Sequence, residues 1–433
     1  MHTLAIFFLL MPYIGYGGLP SDVQPFAMAF ALLAMAFLVV QRKPMVCSWA
    51  LSGTFCVLLC ALVSLIATLA IDEVSVDNKF IVLARALYGY LTPVVVFCYV
   101  SLVISSRLPA NWVAICDFII GITLLGFLMN IIGLTEIIQI FVSRAGFEGG
   151  LGGNRGLTSF YPEQSRVSVQ AVYLAIIYLW QGRLNALRIS LLLLCGLLSF
   201  AGQFFINIIV LIIAICMVSI VRTLKSGTLK LWILGAQVFG VVVASTILYI
   251  ATNHAEYLIS LGLPSRGINA IANISESGIN YIGSDHGLLF KISGLIQGIA
   301  ILIIDPFRFQ ISTSAYFIYD ENLFNLYREI LISWISAEYY PTPIKSFSVF
   351  GSYVSDFGVL GLCVIGLIIY KPISILLRDD DERIYSFISF SLVMMFYLLL
   401  VRSNTSDPTF WVCWAILIYG TKASCRSRGA QIV

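Results

Sequence analysis

Apolar residues in this chain run on for longer than a soluble fold tolerates. From Ile189 to Val221 there is no Asp, Glu, Lys or Arg, and comparable runs recur along the 433 residues. Crossing a bilayer takes about 20 consecutive, mostly apolar residues. Inside hydrocarbon every backbone polar group has to be satisfied within the segment, so such runs are expected to be helices. Charged residues make up 11% of the chain and hydrophobic ones 60%, against roughly 25% charged in a soluble domain. A soluble enzyme, a disordered chain and a nucleic-acid binder are thereby excluded. The net charge of +3 implies no acidic polymer as partner.

The expected fold is all-α: one integral-membrane domain, a polytopic transmembrane helix bundle of about 12 spans. The spans are expected at approximately 3–19, 24–41, 47–70, 82–104, 112–134, 167–181, 188–202, 204–221, 230–251, 348–370, 384–401 and 409–422. One set of alternate connections carries Arg42, Lys43, Arg107, Arg183, Arg188, Arg222, Lys225, Lys230, Lys371, Arg378 and Arg383, and the tail adds Lys422, Arg426 and Arg428. The opposite connections hold most of the acids. Basic residues in short connections mark the cytoplasmic side, so both termini are expected in the cytoplasm. No positively charged region precedes the first apolar run, so a cleaved signal peptide is not expected.

Two outer segments then stand out, a first loop at 135–166 and a large one at 252–347. Long connections inside compact folds are usually functional. Gly287–Ile304 is apolar but carries Lys291; it reads as a re-entrant or interfacial segment, not a span. In Ser314–Tyr340, Phe317, Phe324, Tyr327, Leu331, Trp334 and Ile335 recur at helical spacing, opposite Asp320, Glu321, Arg328 and Glu329. Two readings fit that pattern: an amphipathic helix lying on the membrane surface, or an ordinary packed helix of the outer loop.

Ten cysteines are present, and none lies in the long polar loops, so no disulfide framework is expected. His2, His254 and His286 have no ligand spacing between them, and no metal site or other cofactor is expected. Asp379–Glu382 contains an Asp-x-Asp but sits in a short cytoplasmic connection between Arg378 and Arg383, where a solvated charge run is the better reading. The glycines of Gly149–Gly156 lack the strand–turn–helix setting of a nucleotide site.

The informative stretch is Asn154–Arg166. It sets Arg155, Glu163 and Arg166 just ahead of a span, at the outer face. Pro162 punctuates the entry into the helix, and Glu163 and Arg166, three apart, are neighbours on one face. Their bland role is a helix-start acid with a local ion pair. Their sharper role is a site where arginines grip an anionic headgroup and a carboxylate handles a proton.

This stretch, as Arg155, Thr158-Ser159-Phe160 and Glu163-Gln164-Ser165, resembles the Arg-x-x-Gly-(Leu/Phe)-x-x-Glu-(Pro)-Ser element of bacterial O-antigen polymerases of the Wzy type. Here the proline precedes the glutamate, Gln164 stands in its usual place, and the glycine directly follows the arginine. Gly351–Gly361, with Asp356-Phe357-Gly358 at its centre, resembles the Asp-(Tyr/Phe)-Gly-x-x-Gly start of the span after the long outer loop in the same family.

The resemblance implies a metal-independent glycosyltransferase of the bacterial inner membrane, working at the periplasmic face. It would move a growing glycan from undecaprenyl diphosphate onto the next lipid-linked repeat unit. Donor and acceptor are undecaprenyl-diphosphate-linked oligosaccharides, membrane lipids surround them, and a separate protein regulates chain length. Without a metal, arginines stabilise the charge that develops on the diphosphate. The expected substrate contacts are Arg155, Arg166 and, in the large loop, Arg266 and Arg308, with Arg328 and Arg402 as further candidates. Glu163 and His286 (which follows Asp285) are the expected bases. For Arg266 the plain alternative is a solvated loop arginine, for His286 a satisfied surface histidine, and for Arg402 snorkelling to the headgroups. Two other functions share these features. An O-antigen ligase has a similar architecture. A lipid-linked oligosaccharide flippase would need ionisable groups near the bilayer midplane, and the spans are nearly free of charge.

Overall fold

The computed structural model describes residues 1–15, 23–41, 49–69, 79–106, 111–142, 157, 159–199, 202–226, 286–307, 321–335, 348–378, 382–401 and 405–420, with isolated positions between 249 and 273. The described residues are helical and include no strand. The helices are α1 (His2–Leu10), α2 (Phe26–Val40), α3 (Trp49–Leu69), α4 (Lys79–Ser105), α5 (Trp112–Ile131), α6 (Thr135–Phe141) and α7 (Gln164–Trp180). They continue as α8 (Ala186–Ser199), α9 (Gly202–Ser226), α10 (His286–Ile304), α11 (Glu321–Ile335), α12 (Val349–Arg378), α13 (Glu382–Val401) and α14 (Pro408–Ala415), which ends in a π-helical turn at Ile416–Gly420.

Four of these segments are long and apolar enough to cross a membrane: Ala86–Ser105, Trp112–Ile131, Val349–Leu377 and Ile384–Val401. Shorter apolar helices occur at Phe26–Val40, Leu51–Val63, Ala186–Ser199, Ile206–Cys216, Ile292–Ile304 and Pro408–Gly420. The regular structure of the described residues is thus all helical, with membrane-spanning character. In the segment expected as a span at 3–19, the helix ends at Leu10 and residues 11–15 lie outside it. Pro12 follows, and the residue before a proline is pushed out of the α region; Met11 has φ −134 and ψ 64. The segment 230–251 lies outside the described residues, apart from Tyr249.

By its contacts the chain divides into two compact units, each discontinuous in sequence. The first comprises Met1–Ala34, Pro109–Ser277 and Asp379–Met394. Its centre is α7, whose Val169, Tyr173, Ile176, Ile177 and Tyr178 are buried and which packs on α5, α8 and α9. A row of polar side chains joins these helices. Ser168 and Ser199 share a hydrogen bond of 3.1 Å, Asn207 Nδ2 donates to Ser168 O at 3.1 Å, and Gln170 Nε2 donates to Leu10 O at 2.6 Å. Where hydrocarbon offers no competing water, such bonds fix helix register.

The second unit comprises Met35–Leu108, Gly278–Arg378 and Met395–Val433. Its central helix is α4, which is free of charge from Ala86 on, as a helix enclosed by others must be; every residue from Val94 to Val103 is buried. Trp411 and Trp414 of α14 are fully buried, and Phe97 meets the Trp411 ring edge-on at 6.0 Å. The α14 start is set locally. Asp407 accepts from Thr409 N–H at 3.1 Å and Pro408 takes the first helical position, where its missing N–H costs nothing.

Helices α10 and α11 fall where the re-entrant segment and the amphipathic helix are expected. They pack on each other through Leu289, Ile296, Ala300 and Ile301 on one side and Leu323, Tyr327, Ile330 and Leu331 on the other. Helix α11 is thus packed against α10. Its inner face also differs from the expected one: Leu323 and Ile330 join it, while Trp334 points outward at 63% exposure. Phe317 lies outside the described residues.

Candidate functional site

The segment Leu157–Arg166 does not hang free above its helix; it is pinned to the first unit at four points. Leu157 N–H donates to Leu198 O at 3.2 Å. Ser159 Oγ donates to Thr123 O at 2.7 Å, and the Tyr161 and Thr123 hydroxyls meet at 3.3 Å. The fully buried Tyr161 ring lies 5.7 Å from that of Tyr13. Ser159 has φ +56, a left-handed backbone that costs a non-glycine residue about 1–2 kcal/mol and persists only where its surroundings hold it. Gly126 of α5 makes that possible: a Cβ there would lie 2.2 Å from Ser159 Oγ and 3.0 Å from its Cα.

The pinned loop delivers two of the expected site residues to one place. Glu163 is the N-cap of α7, with extended backbone angles (φ −145, ψ 148), so it stands just outside the first turn instead of within it. It is exposed and accepts from Ser165 Oγ at 3.0 Å. Its negative charge lies at a helix N-terminus, where it is favoured. Arg166 N–H donates to Glu163 O at 3.1 Å, and the half-buried Arg166 guanidinium sits 5.7 Å from the Tyr13 ring centroid, within range of a cation–π contact. An exposed carboxylate at Glu163 can take a proton, and the Arg166 guanidinium, braced on an aromatic face, carries the charge an anion would meet.

His286 and Arg328 belong to the second unit. His286 is the first residue of α10, and Arg328 is exposed on the outer side of α11, one position from the buried Tyr327, whose phenol burial pushes to high pKa. Arg155, Arg266, Arg308 and Arg402 lie outside the described residues. Among the described residues no cluster of His, Cys, Asp or Glu has the make-up of a metal site.

Three arrangements escaped the reading of the sequence. Tyr13, Thr123 and Gly126 hold the loop, yet only the run Ser159–Pro162 hinted at anything unusual, and nothing ties Tyr13 to it in sequence. At the far end of α5, Arg188 grips Asp117 with two hydrogen bonds of 2.9 and 2.8 Å. Tyr178 OH adds a third to the same carboxylate at 2.6 Å, while Arg188 also lies over the Tyr178 ring. This is a structural knot with its charges matched. Finally, the second unit holds a buried acid: Asp356 is 7% exposed and accepts from Tyr90 OH.

No family model, no curated protein and no solved structure matches the chain.

Proposed function

We propose that the chain is an O-antigen polymerase: a glycosyltransferase that moves a growing polysaccharide from undecaprenyl diphosphate onto a new lipid-linked repeat unit. The observation that carries the reading is the pinned Leu157–Arg166 loop, which commits Glu163 and Arg166 to one spot at the start of a helix and holds Ser159 in a strained backbone to do so. Strain of that kind concentrates at functional sites. In the reaction, an acceptor hydroxyl attacks the anomeric carbon of the donor. The bond from that carbon to the diphosphate oxygen breaks, and the electron pair leaves with the diphosphate. Glu163 takes the hydroxyl proton, with His286 as the second candidate base. Arg166 and Arg155 meet the growing charge on the diphosphate, with Arg266, Arg308, Arg328 and Arg402 as further contacts. Guanidinium forks suit phosphate oxygens and act without a metal.

The proposal places the protein in the bacterial inner membrane with about 12 crossings, both ends cytoplasmic, the large loop 252–347 and the site in the periplasm, and a separate chain-length regulator as partner. The test is a strain lacking the gene, with its lipopolysaccharide resolved on a gel. A single added repeat unit on the core is the expected result. Bare core with long polymer on the lipid carrier would identify a ligase instead, and bare core with units trapped on the cytoplasmic face a flippase.

A further inference from the structure

Helix α12 is two helices. Gly358 interrupts it with φ 53 and ψ −129, a combination open only to glycine. The two halves keep different company. Phe350 and Val354, before the break, close on Gly298 of α10, where a Cβ would lie 3.3 and 3.4 Å from them; α10 in turn carries α11. Leu367, after the break, closes on Gly53 of α3 in the same way, at 3.4 Å, and α3 packs on α4, which packs on α14. The second unit therefore sorts into a cap (α10, α11 and Val349–Phe357) and a base (α3, α4, α14 and Val359–Arg378).

Hydrogen bonds reach across the break. Val359 N–H, which has no helical acceptor once the ladder is interrupted, donates to Pro306 O of the cap at 2.8 Å. Tyr90 OH, from the base, donates to Asp356 of the cap, and the same hydroxyl lies 3.4 Å from Ser352 O. Around them the contacts are between ring edges and faces: Tyr90 with Phe357 at 5.0 Å and with Tyr353 at 5.5 Å, and Tyr353 with Trp411 at 6.2 Å. The Tyr353 hydroxyl is buried and has no hydrogen-bond partner among the described residues. Interrupted helices at membrane depth are tolerated where protein covers the freed backbone, and a few residues that absorb a large backbone change make a hinge.

We propose that Gly358 is a hinge on which the cap swings as one body against the base, latched in the observed position by Tyr90–Asp356 and Val359–Pro306. The inference goes beyond glycosyl transfer and does not depend on it. The half-helix Val359–Arg378 is about 30 Å long, so a swing of roughly 10° moves its far end by about 5 Å relative to the cap. The test uses the full chain in lipid nanodiscs, with spin labels on genetically encoded ketone side chains so that the native cysteines stay in place. One pair, at Trp334 and Leu377, spans the hinge; a second, at Leu59 and Leu377, lies within the base. All three positions are exposed. Tyr90→Phe, which removes the latch donor, and Gly358→Ala, which forbids the kinked backbone, are each expected to shift or broaden the 334–377 distance distribution by several Å. The 59–377 distribution should stay as in the parent. An unchanged 334–377 distribution in both variants would show a rigid kink and overturn the proposal. So would parallel changes in both pairs, which would show loosening of the whole unit.

Discussion

Gly126→Ala is expected to release the Leu157–Arg166 loop while leaving the helices intact. The added Cβ would stand 2.2 Å from Ser159 Oγ, 2.8 Å from the Phe160 ring and 3.0 Å from Ser159 Cα. The hydroxyl can rotate away only by giving up its 2.7 Å bond to Thr123 O, a loss of about 1 kcal/mol. Crowding the ring and the backbone costs about 1–3 kcal/mol more. Replacing a mid-helix glycine by alanine returns about 1 kcal/mol, but to α5 and the fold as a whole, not to the docking of the loop. Docking should therefore weaken by about 2–4 kcal/mol, which is roughly a 30- to 700-fold change in the fraction undocked. The reporter is the Leu157 amide, bonded to Leu198 O in the docked loop. Its hydrogen exchange, followed by mass spectrometry on the purified protein in detergent, should accelerate by about that factor, while peptides from α7 keep their protection. Adding Ser159→Gly, which removes the crowded side chain and relieves the left-handed backbone, should recover most of the protection. An unchanged Leu157 exchange rate in a monodisperse Gly126→Ala protein would refute the account of how the loop is held.

Arg155→Ala or Arg266→Ala is expected to abolish long-chain polysaccharide, with the protein still in the membrane and Lys restoring little of it; normal chain lengths on the gel in both would remove these residues from the site. Arg188→Ala should destabilise the first unit by about 1–2 kcal/mol, tempered by the solvent exposure of Asp117, read as a lower melting temperature in detergent with polymer length unaffected. Gly361→Ala puts a Cβ 2.1 Å from the Tyr353 carbonyl oxygen, a backbone atom that no side-chain rotation can clear. It should reduce recovery of monodisperse protein far more than Gly366→Ala, where a Cβ meets open space. Chelating divalent metals in purified membranes should leave polymerisation at its original rate, since the arginines carry the leaving-group charge in the proposed reaction.

Helices whose character depends on composition alone were legible in the sequence. The runs at 24–41, 112–134 and 384–401 correspond to helices Phe26–Val40, Trp112–Ile131 and Glu382–Val401, because a long apolar segment has few other options. What hydropathy cannot register is a change of backbone inside an apolar run. The break at Gly358 lies in a stretch that reads as one uniform span, and Gly358 looks no different from Gly361, although one is chosen for its dihedral angles and the other for the space it leaves. Partnerships distant in sequence were equally hidden. Asp356 stood out as part of a motif, but its donor Tyr90 lies in another helix and in an unremarkable tyrosine-rich run. The spacing of Glu163 and Arg166 marked the start of a helix, although Glu163 proves to be its N-cap and not part of its first turn, whereas Tyr13, Thr123 and Gly126, which hold their loop in place, carry no local signal at all.

The interleaving of the two units has a consequence for how the protein is made. The core of the second unit joins α4 to α14, Phe97 to Trp411, across some three hundred residues of intervening chain that largely belong to the first. As the ribosome feeds helices to the membrane in order, α4 is inserted long before the helix that covers it exists. Its apolar face then has to wait, shielded by lipid or by the insertion machinery. The first unit closes earlier, needing only the stretch that ends at Met394. Biogenesis should therefore proceed in two stages, and chains cut short before Pro408 would be inserted yet left with an uncovered α4, a form that membrane quality-control proteases are built to recognise.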